Sequence, residues 1–205
     1  MQFASDFIKK EQPDILITAD KGLAFCEKTG MIPTQIVGDF DTLGEALLPK
    51  YEAMGVPIRR FQPEKDYTDT EIAVHLAMEL GAERITILGA SEGNRLDHLF
   101  GNVLTMMEPA REGVECFMLD AHNRVRILTK PLELRKEDQY GKYISLIPLT
   151  TDVYGVTLTG FKYPLWDHRF HVETTGSLGI SNELVEDVGK IDFRQGILLM
   201  LECMD

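Results

Sequence analysis

The feature that most constrains the fold of this chain is a change in the spacing of its apolar runs near Asp120. Before that point, short apolar runs typical of strands alternate with segments whose apolar residues recur every three or four positions. This alternation predicts a parallel α/β domain with helical crossovers. After Asp120, short apolar runs follow one another at hairpin spacing, which is typical of an antiparallel sandwich or barrel. We therefore predict an α/β domain at 1–121 and an all-β domain at 122–205.

The individual elements follow from the same patterns. In the first part we predict strands at 15–18, 35–37, 57–61, 84–89 and 115–119, and helices from Phe3 to before Pro13 and at 23–28, 45–54, 68–80 and 98–107. Thr68 and Glu71 form a capping box, and an apolar helical face should follow it, made of Ile72, Ala73, Leu76, Ala77 and Leu80. In the second part we predict strands at 125–128, 143–147, 156–158, 168–172, 190–193 and 197–202.

Charge and composition exclude several classes of function. The 205 residues carry a net charge of −12, which argues against a nucleic-acid-binding protein. The same charge would repel a polyanionic substrate such as ATP unless a metal ion intervened. The three cysteines are scattered and show no metal-binding spacing, as expected in a reducing cytoplasm. We find no apolar run of membrane-spanning length and no signal-peptide pattern, so we expect a cytoplasmic protein without a membrane partner.

Two acidic clusters provide the first candidate site. Asp39 and Asp41 follow an apolar run, and carboxylates two positions apart on an extended segment point to the same side. Such oxygen ligands suit Mg²⁺, although a simple turn after a strand explains the pair equally well. Lys65, Asp66 and Asp69 form the second cluster. Lys65 could meet a phosphate, but a solvated acidic helix start is the alternative that we favour for this segment alone.

Two further segments carry polar groups in glycine-containing loops. In residues 89–98 a predicted strand leads through a loop into a helix, where backbone N–H groups can bind phosphate oxygens. Arg95 there could stabilise phosphate charge, while Asp97 is also a plausible N-cap. Residues 174–183 hold two glycines, several hydroxyls and an amide, which make either a plain turn or a polar pocket. Trp166 could stack on a flat ring or belong to the core.

Taken together, these segments resemble the thiamine pyrophosphokinase (thiamin diphosphokinase) family. The resemblance extends in order over nearly the whole chain. It is carried by Ala19-Asp20-Lys21-Gly22, Gly38-Asp39-Phe40-Asp41-Thr42, Glu64-Lys65-Asp66-x-Thr68-Asp69-Thr70-Glu71, Arg95-Leu96-Asp97-His98 with Asn102, Lys142-Tyr143-x-Ser145-Leu146-Ile147-Pro148, Gly160-x-Lys162-Tyr163-Pro164-Leu165 and Ser181-Asn182-Glu183.

The resemblance implies a Rossmann-like α/β domain and a β-sandwich in a homodimer, with pyrophosphate transfer from ATP to the hydroxyl of thiamine. It implies that Asp39, Asp41 and Asp66 are the magnesium positions. Candidate ATP-binding residues are Asp20, Lys21, Lys65, Arg95, His98 and Asn102. Candidate catalytic residues are Asp66, Asp69, Arg95 and Asp97, with Asp69 or Asp97 accepting or orienting the hydroxyl proton. Candidate thiamine residues are Trp166, Ser177, Ser181 and Asn182.

Three departures from the family pattern accompany the resemblance. Lys21 stands where glycine is common, and Asn94 stands where a second glycine is usual. Family members normally begin with a strand and a glycine-rich turn before the first helix, and we expect this sequence to lack that strand. Two other functions stay open at this point: a diphosphokinase for another hydroxymethyl heterocycle such as a pterin, and a non-catalytic thiamine- or nucleotide-binding protein.

Overall fold

The computed structural model describes residues 1–40, 47–61, 67–91 and 95–205. Contacts between residues divide the chain into two compact units, 1–85 and 86–205. The predicted division at 121/122 came from the change in the spacing of apolar runs, and it stays a prediction. The predicted fold class, α/β followed by antiparallel β, is confirmed.

The first unit contains a parallel sheet in the order β1-β2-β3, as the alternation of strands and helices predicted. Its elements are α1 (Gln2–Glu11), β1 (Ile17–Ala19), α2 (Gly22–Thr29), β2 (Gln35–Gly38), α3 (Leu48–Ala53), β3 (Ile58–Arg60) and α4 (Asp69–Glu79). Helices α2 and α4 pack against the strands. One part of the core comprises Leu23, Ile36, Phe40, Leu48 and Tyr51.

Local signals set the ends of these helices. Helix α1 ends ahead of Pro13, and α2 ends at Gly30, whose φ of 71° is a left-handed conformation that glycine adopts without strain. The predicted apolar face of α4 was wrong at one position, because Leu80 is 41% exposed while Val74 is buried. Leu80 is the C-cap residue, where the chain leaves the helix, and its side chain does not continue the face.

The second unit contains two sheets. The boundary between the units falls within β4 (Arg84–Leu88). The later elements are α5 (Leu96–Thr105), α6 (Met107–Arg111), β5 (Glu115–Leu119), β6 (Asn123–Leu128), β7 (Leu132–Arg135), β8 (Tyr143–Pro148), β9 (Asp152–Thr159), β10 (Leu165–His171), β11 (Asn182–Glu183), β12 (Val188–Asp192) and β13 (Leu198–Cys203), with a short 3-10 turn at Lys136–Asp138. The predicted helix at 98–107 is therefore two helices, the first of which begins at Leu96.

The sheet orders are β10-β9-β12-β7 and β11-β8-β13-β6-β5-β4 among the described residues. Strand β5 lies between β6 and β4 and pairs antiparallel with β6 across a turn at Asp120, so it belongs to the sheet of the later strands and not to the β1-β2-β3 sheet. The two sheets share one apolar core, to which β8 and β13 contribute Ile144, Leu146, Leu198 and Met200, and β9 and β12 contribute Val156 and Ile191. This confirms a β-sandwich. No helix in the described part of the chain is long and apolar enough to cross a membrane.

Candidate functional site

The Asp20 carboxylate lies near two other carboxylates of the first unit, Asp39 and Asp69. Asp20 follows β1 and Asp39 follows β2, at the carboxyl ends of adjacent parallel strands, where open α/β sheets bind ligands. Burial raises the pKa of Asp20 above its usual value, and the negative charges of Asp69 and Asp39 raise it further. The Asp20 carboxylate therefore lies in a negative field that a cation would relieve.

The backbone at these strand ends is tightly defined. The Asp20 N–H donates to the carbonyl of Val37 on β2 at 3.2 Å, which joins the two strand ends. Asp20 and Phe40 both have positive φ, at 43° and 58°. The Phe40 ring is buried, and the Arg60 guanidinium lies 5.9 Å from its centroid. Asp39 is thus placed by a buried aromatic anchor immediately after it.

Asp69 is placed by the predicted cap of α4. The Thr68 hydroxyl accepts a hydrogen bond from the Glu71 N–H at 3.2 Å, which confirms Thr68 as the N-cap. Asp69 is then the first residue of the helix, where a negative charge interacts favourably with the helix dipole. Because α4 packs against β1 and β2, the cap brings Asp69 into the field of Asp20.

The structure describes only part of the predicted metal and phosphate group. Asp41, Lys65 and Asp66 lie outside the described residues. Lys21 is exposed at the N-cap position of α2, and its charge partly opposes the rise in the pKa of Asp20. Among the residues that are described, no three acidic, histidine or cysteine side chains stand close enough to hold a metal ion together.

Arg95 and Asp97 form an ion pair at the start of α5. The Arg95 Nε donates to Asp97 Oδ1 at 3.0 Å, and both side chains are mostly exposed. The pair holds the pKa of the Asp97 carboxyl far below its usual range. The suggestion that Asp97 is the N-cap was wrong: Arg95 occupies that position, and Asp97 is the second residue of the helix, with its carboxylate turned to the guanidinium and the His98 N–H.

Asn102 connects helix α5 to the loop that precedes it through a hydrogen bond. Its side chain is buried, and Nδ2 donates to the Ala90 carbonyl at 3.0 Å. The adjacent Ser91 hydroxyl donates to Asp120, whose carboxylate also accepts from the N–H groups of His122 and Asn123. These bonds fix the backbone after β4 within the second unit. His98 is exposed in the first turn of α5.

Three of the predicted thiamine residues lie in or next to the β10–β11 loop (residues 172–181), whereas Trp166 lies near the start of β10, and the four differ in exposure. Ser177 and Ser181 are exposed, and Trp166 on β10 is 71% exposed, so the ring is not part of the core. Asn182 is 8% exposed instead. Its Oδ1 accepts from the N–H groups of Tyr163 and Glu183, and its Nδ2 donates to the Tyr163 carbonyl at 2.8 Å. The Asn182 amide is therefore committed to shaping the backbone.

Two residues that fix this loop had been given no role from the sequence. Ser145 on β8 appeared only within a longer motif, yet its hydroxyl accepts from the Ser181 N–H at 3.0 Å. Tyr163, 58% exposed, is held by the Asn182 amide across 19 residues of chain. The signal available in the sequence was a small hydroxyl residue, Ser145, within an apolar strand. Its partner Ser181 is 36 residues away, so the contact could not be predicted from spacing.

A cleft of about 450 Å³ lies beside this segment, and Tyr140, Lys142 and Glu183 are among its lining residues. Glu183 is paired with Lys142 at 3.5 Å and with Lys162 at 2.8 Å. The only carboxylate lining the cleft, among the described residues, is thus already neutralised, which makes the cleft a poor site for a cation.

Comparison with known proteins gives a consistent result in both halves of the chain. The family model "Thiamin pyrophosphokinase, catalytic domain" matches residues 8–118, and "Thiamin pyrophosphokinase, vitamin B1 binding domain" matches residues 131–198. The thiamine pyrophosphokinase of Bacillus subtilis (strain 168) is 32% identical over 195 residues, covering 95% of this chain and 90% of the relative.

Solved structures agree with the fold. The crystal structure of thiamine pyrophosphokinase from Bacillus subtilis has a TM-score of 0.80 at 32% identity, covering 92% of this chain and 87% of that one. The protein from Geobacillus thermodenitrificans has a TM-score of 0.81 at 30% identity, covering 97% and 91%. The yeast enzyme matches in fold alone, with a TM-score of 0.76 at 17% identity and coverage of 97% and 81%.

Proposed function

This chain belongs to the thiamine pyrophosphokinase family, and on that premise we propose that it transfers pyrophosphate from ATP to the hydroxyl of thiamine, giving thiamine diphosphate and AMP. The protein is an enzyme. The observation that carries the proposal is that both the catalytic and the vitamin-binding family models match this one chain in order. The carboxylates at the ends of the parallel strands supply the matching chemistry.

The nucleotide half of the site is built on charge. Asp39, with Asp41 and Asp66, would hold Mg²⁺, and the ion when bound would neutralise the ATP phosphates. Support comes from Asp20, whose pKa is raised by burial and raised further by the nearby charges of Asp69 and Asp39. Asp20 and Lys21 would contact the nucleotide from the β1–α2 turn.

Arg95 and Lys65 would share the charge that develops on the transferred group. The ion pair with Asp97 uses Nε and one terminal nitrogen of Arg95, and a guanidinium has five N–H donors, so it can bind a phosphate oxygen while it stays paired. His98 would act from the same turn. Asn102 would act by holding the loop after β4, through its bond to Ala90.

The pKa shift separates the two candidates for proton transfer. Asp97 has its pKa held far below the usual value by Arg95, and a carboxylate with so low a pKa is a poor proton acceptor. We therefore assign Asp97 to orienting Arg95. Asp69, at the capped start of α4, is the better candidate to accept or orient the thiamine hydroxyl proton, and Asp66 would support it from the metal group.

The acceptor half is built on placed polar groups and an exposed ring. Ser177 and Ser181 present hydroxyls at the surface of the second unit, and Trp166 offers a flat face on which the pyrimidine could stack. Asn182 would contribute through the backbone that it fixes. We also propose that the enzyme is a cytoplasmic homodimer.

Two other functions make different predictions. A diphosphokinase for a hydroxymethyl pterin would use the same nucleotide half but a different acceptor half, and the match to a vitamin B1 binding domain favours thiamine. A non-catalytic binding protein would have no need for the charged group at the strand ends. Both stay as outcomes of the test.

The test is a coupled assay for AMP release from ATP, with thiamine or with a hydroxymethyl pterin as acceptor, at varied Mg²⁺. We expect AMP in equal amount to thiamine diphosphate, with thiamine only, and no turnover in excess chelator. AMP release with the pterin alone would move the function to that acceptor. Binding of thiamine without any AMP would identify a binding protein.

A further inference from the structure

Ser181 has a backbone conformation that serine rarely adopts. Its φ is 58°, in the left-handed region that favours glycine and is unfavourable for a side chain with Cβ. The residue is exposed at the end of the β10–β11 loop, so no surrounding core imposes this conformation. Its N–H donates a hydrogen bond to the Ser145 hydroxyl at 3.0 Å, which is a direct contact between the residue and strand β8.

Strand β8 holds the loop at two consecutive residues. Ser145 is buried at 8% exposure and accepts from Ser181, and the next residue, Leu146, donates its N–H to the Gly179 carbonyl at 2.7 Å. A Cβ at Gly179 would lie 2.1 Å from the Leu146 carbonyl oxygen. The loop therefore runs directly against β8 here, and only glycine fits at the point of closest approach.

The other end of the loop is closed by its own atoms. The His171 N–H donates to the Thr175 hydroxyl at 2.6 Å, and the Thr175 N–H donates to the His171 carbonyl at 2.9 Å. Between the two fixed ends, Ser177 and Leu178 are exposed. A short segment fixed at both ends presents its exposed groups in one geometry before any ligand arrives, which lowers the entropy cost of binding.

We propose that Ser145 is a positioning residue for thiamine: its hydroxyl holds Ser181 in the left-handed conformation and thereby sets the geometry of the β10–β11 loop. The inference rests on the proposed function. Ser145 does not touch the acceptor in this scheme. It acts through the Ser181 backbone, while Asn182 is anchored separately to Tyr163 and keeps its own position.

The test is the kinetic effect of Ser145→Ala. Loss of one hydrogen bond of this kind should raise the KM for thiamine about two- to tenfold, with the KM for ATP and kcat at saturating thiamine unchanged. Thr34→Ala is the matched control, because the Thr34 hydroxyl likewise accepts a backbone N–H, that of Leu16 at 2.8 Å, far along the chain from the loop. It should leave the KM for thiamine as in the wild type.

A double-mutant cycle separates positioning from general stability. Ser181→Gly lets the backbone take a positive φ without strain, so the Ser145 hydroxyl becomes dispensable. In that background Ser145→Ala should change the KM for thiamine by less than about twofold. Full effects that multiply in the double variant would overturn the proposal, because Ser145 would then act by a route other than Ser181.

The outcomes also distinguish the inference from the proposed function. If the wild-type enzyme releases no AMP with thiamine, the proposed function fails and the inference falls with it. If the wild type turns over thiamine and Ser145→Ala has the wild-type KM, only the inference is wrong. Circular dichroism of each variant confirms that the comparison is made between folded proteins.

Discussion

The carboxylates of the first unit and the β10–β11 loop of the second differ in the interactions that their polar groups make. Burial raises the pKa of Asp20, and the like charges of Asp69 and Asp39 raise it further. In the loop, by contrast, the Asn182 amide donates to a backbone carbonyl and the Ser145 hydroxyl accepts from a backbone N–H, so these backbone groups have hydrogen-bond partners. The first region therefore gathers negative charge at one edge of a sheet, and the second is held by hydrogen bonds before a ligand binds.

The difference follows from the ligands that we propose for each region. Phosphates arrive with a metal ion, and clustered carboxylates whose mutual repulsion the ion relieves will bind it more tightly. A flat heterocycle offers few polar atoms, so its site gains affinity from rigid, correctly placed groups. Removing a carboxylate from the first region should therefore cost activity, whereas removing a side chain that anchors the second, such as the Asn182 amide, should cost stability as well.

The largest expected effect tests the charged region. Asp39→Asn removes a hard anionic ligand and should lower kcat/KM by about a hundredfold or more while the protein stays folded. Steady-state assays at low and high Mg²⁺, together with thermal melting, make the measurement. Near-wild-type activity at low Mg²⁺ would contradict the proposed difference between the two regions, because the negative charge of Asp39 would then not be needed for activity.

The second prediction tests the rigid region. Asn182→Ala removes a buried amide and leaves the Tyr163 and Glu183 N–H groups without their partner, and it should lower the free energy of unfolding by about 1–3 kcal/mol. Urea denaturation measures the change. Ser177→Ala, an exposed residue of the same loop, is the control and should stay within about 0.5 kcal/mol of the wild type. Equal stability of all three proteins would show that this region is not held by the Asn182 amide.

The two regions also differ in how far the sequence predicted them. The Thr68 cap, the end of α1 before Pro13 and the end of α2 at Gly30 all depend on residues a few positions apart, and the structure confirms each. The placement of Asp39 after a strand came from the same kind of local pattern. Short-range chemistry decides such features, so spacing alone was enough.

Contacts between residues far apart in the sequence could not be predicted from local spacing. The resemblance implies that Asn182 serves thiamine, which stays a prediction, but spacing gave no sign that its amide is bonded to Tyr163, 19 residues earlier. Ser145 and Ser181 meet across 36 residues. Leu80 matched the helical period and is exposed, because the helix ends at the residue before it. Tertiary pairing, which no periodicity encodes, decides the first two cases, and the position of the helix end decides the third.

A smaller effect is expected at the N-cap of α4, the helix whose first residue is Asp69. Thr68→Ala removes the hydroxyl that accepts the Glu71 N–H and should cost about 0.5–2 kcal/mol of stability. Thr68→Ser keeps the cap and is the control. If Thr68→Ala also raises the KM for ATP, the cap contributes to nucleotide binding as well as to stability, because it positions Asp69 at the start of α4. An unchanged melting temperature would show that the cap does not contribute.

The smallest effect asks whether the charged region really is destabilising. Asn tolerates the positive φ of residue 20, so Asp20→Asn removes the charge with little change in backbone preference. The pKa of Asp20 is raised in the folded protein, so ionisation at neutral pH opposes folding, and the substitution should raise the melting temperature by about 1–2 °C.

The sign of this effect depends on pH in a defined way. Above the raised folded pKa of Asp20 the penalty is fully present, and the Asp20→Asn protein should be the more stable. As pH falls below the unfolded value of about 3.9, the wild-type carboxyl is protonated in both states and the advantage disappears. Melting curves at neutral and acidic pH give the difference. If Asp20→Asn is less stable at neutral pH, the carboxylate makes a favourable contact that outweighs its repulsion from Asp69 and Asp39, and the contrast between the two regions fails at this residue.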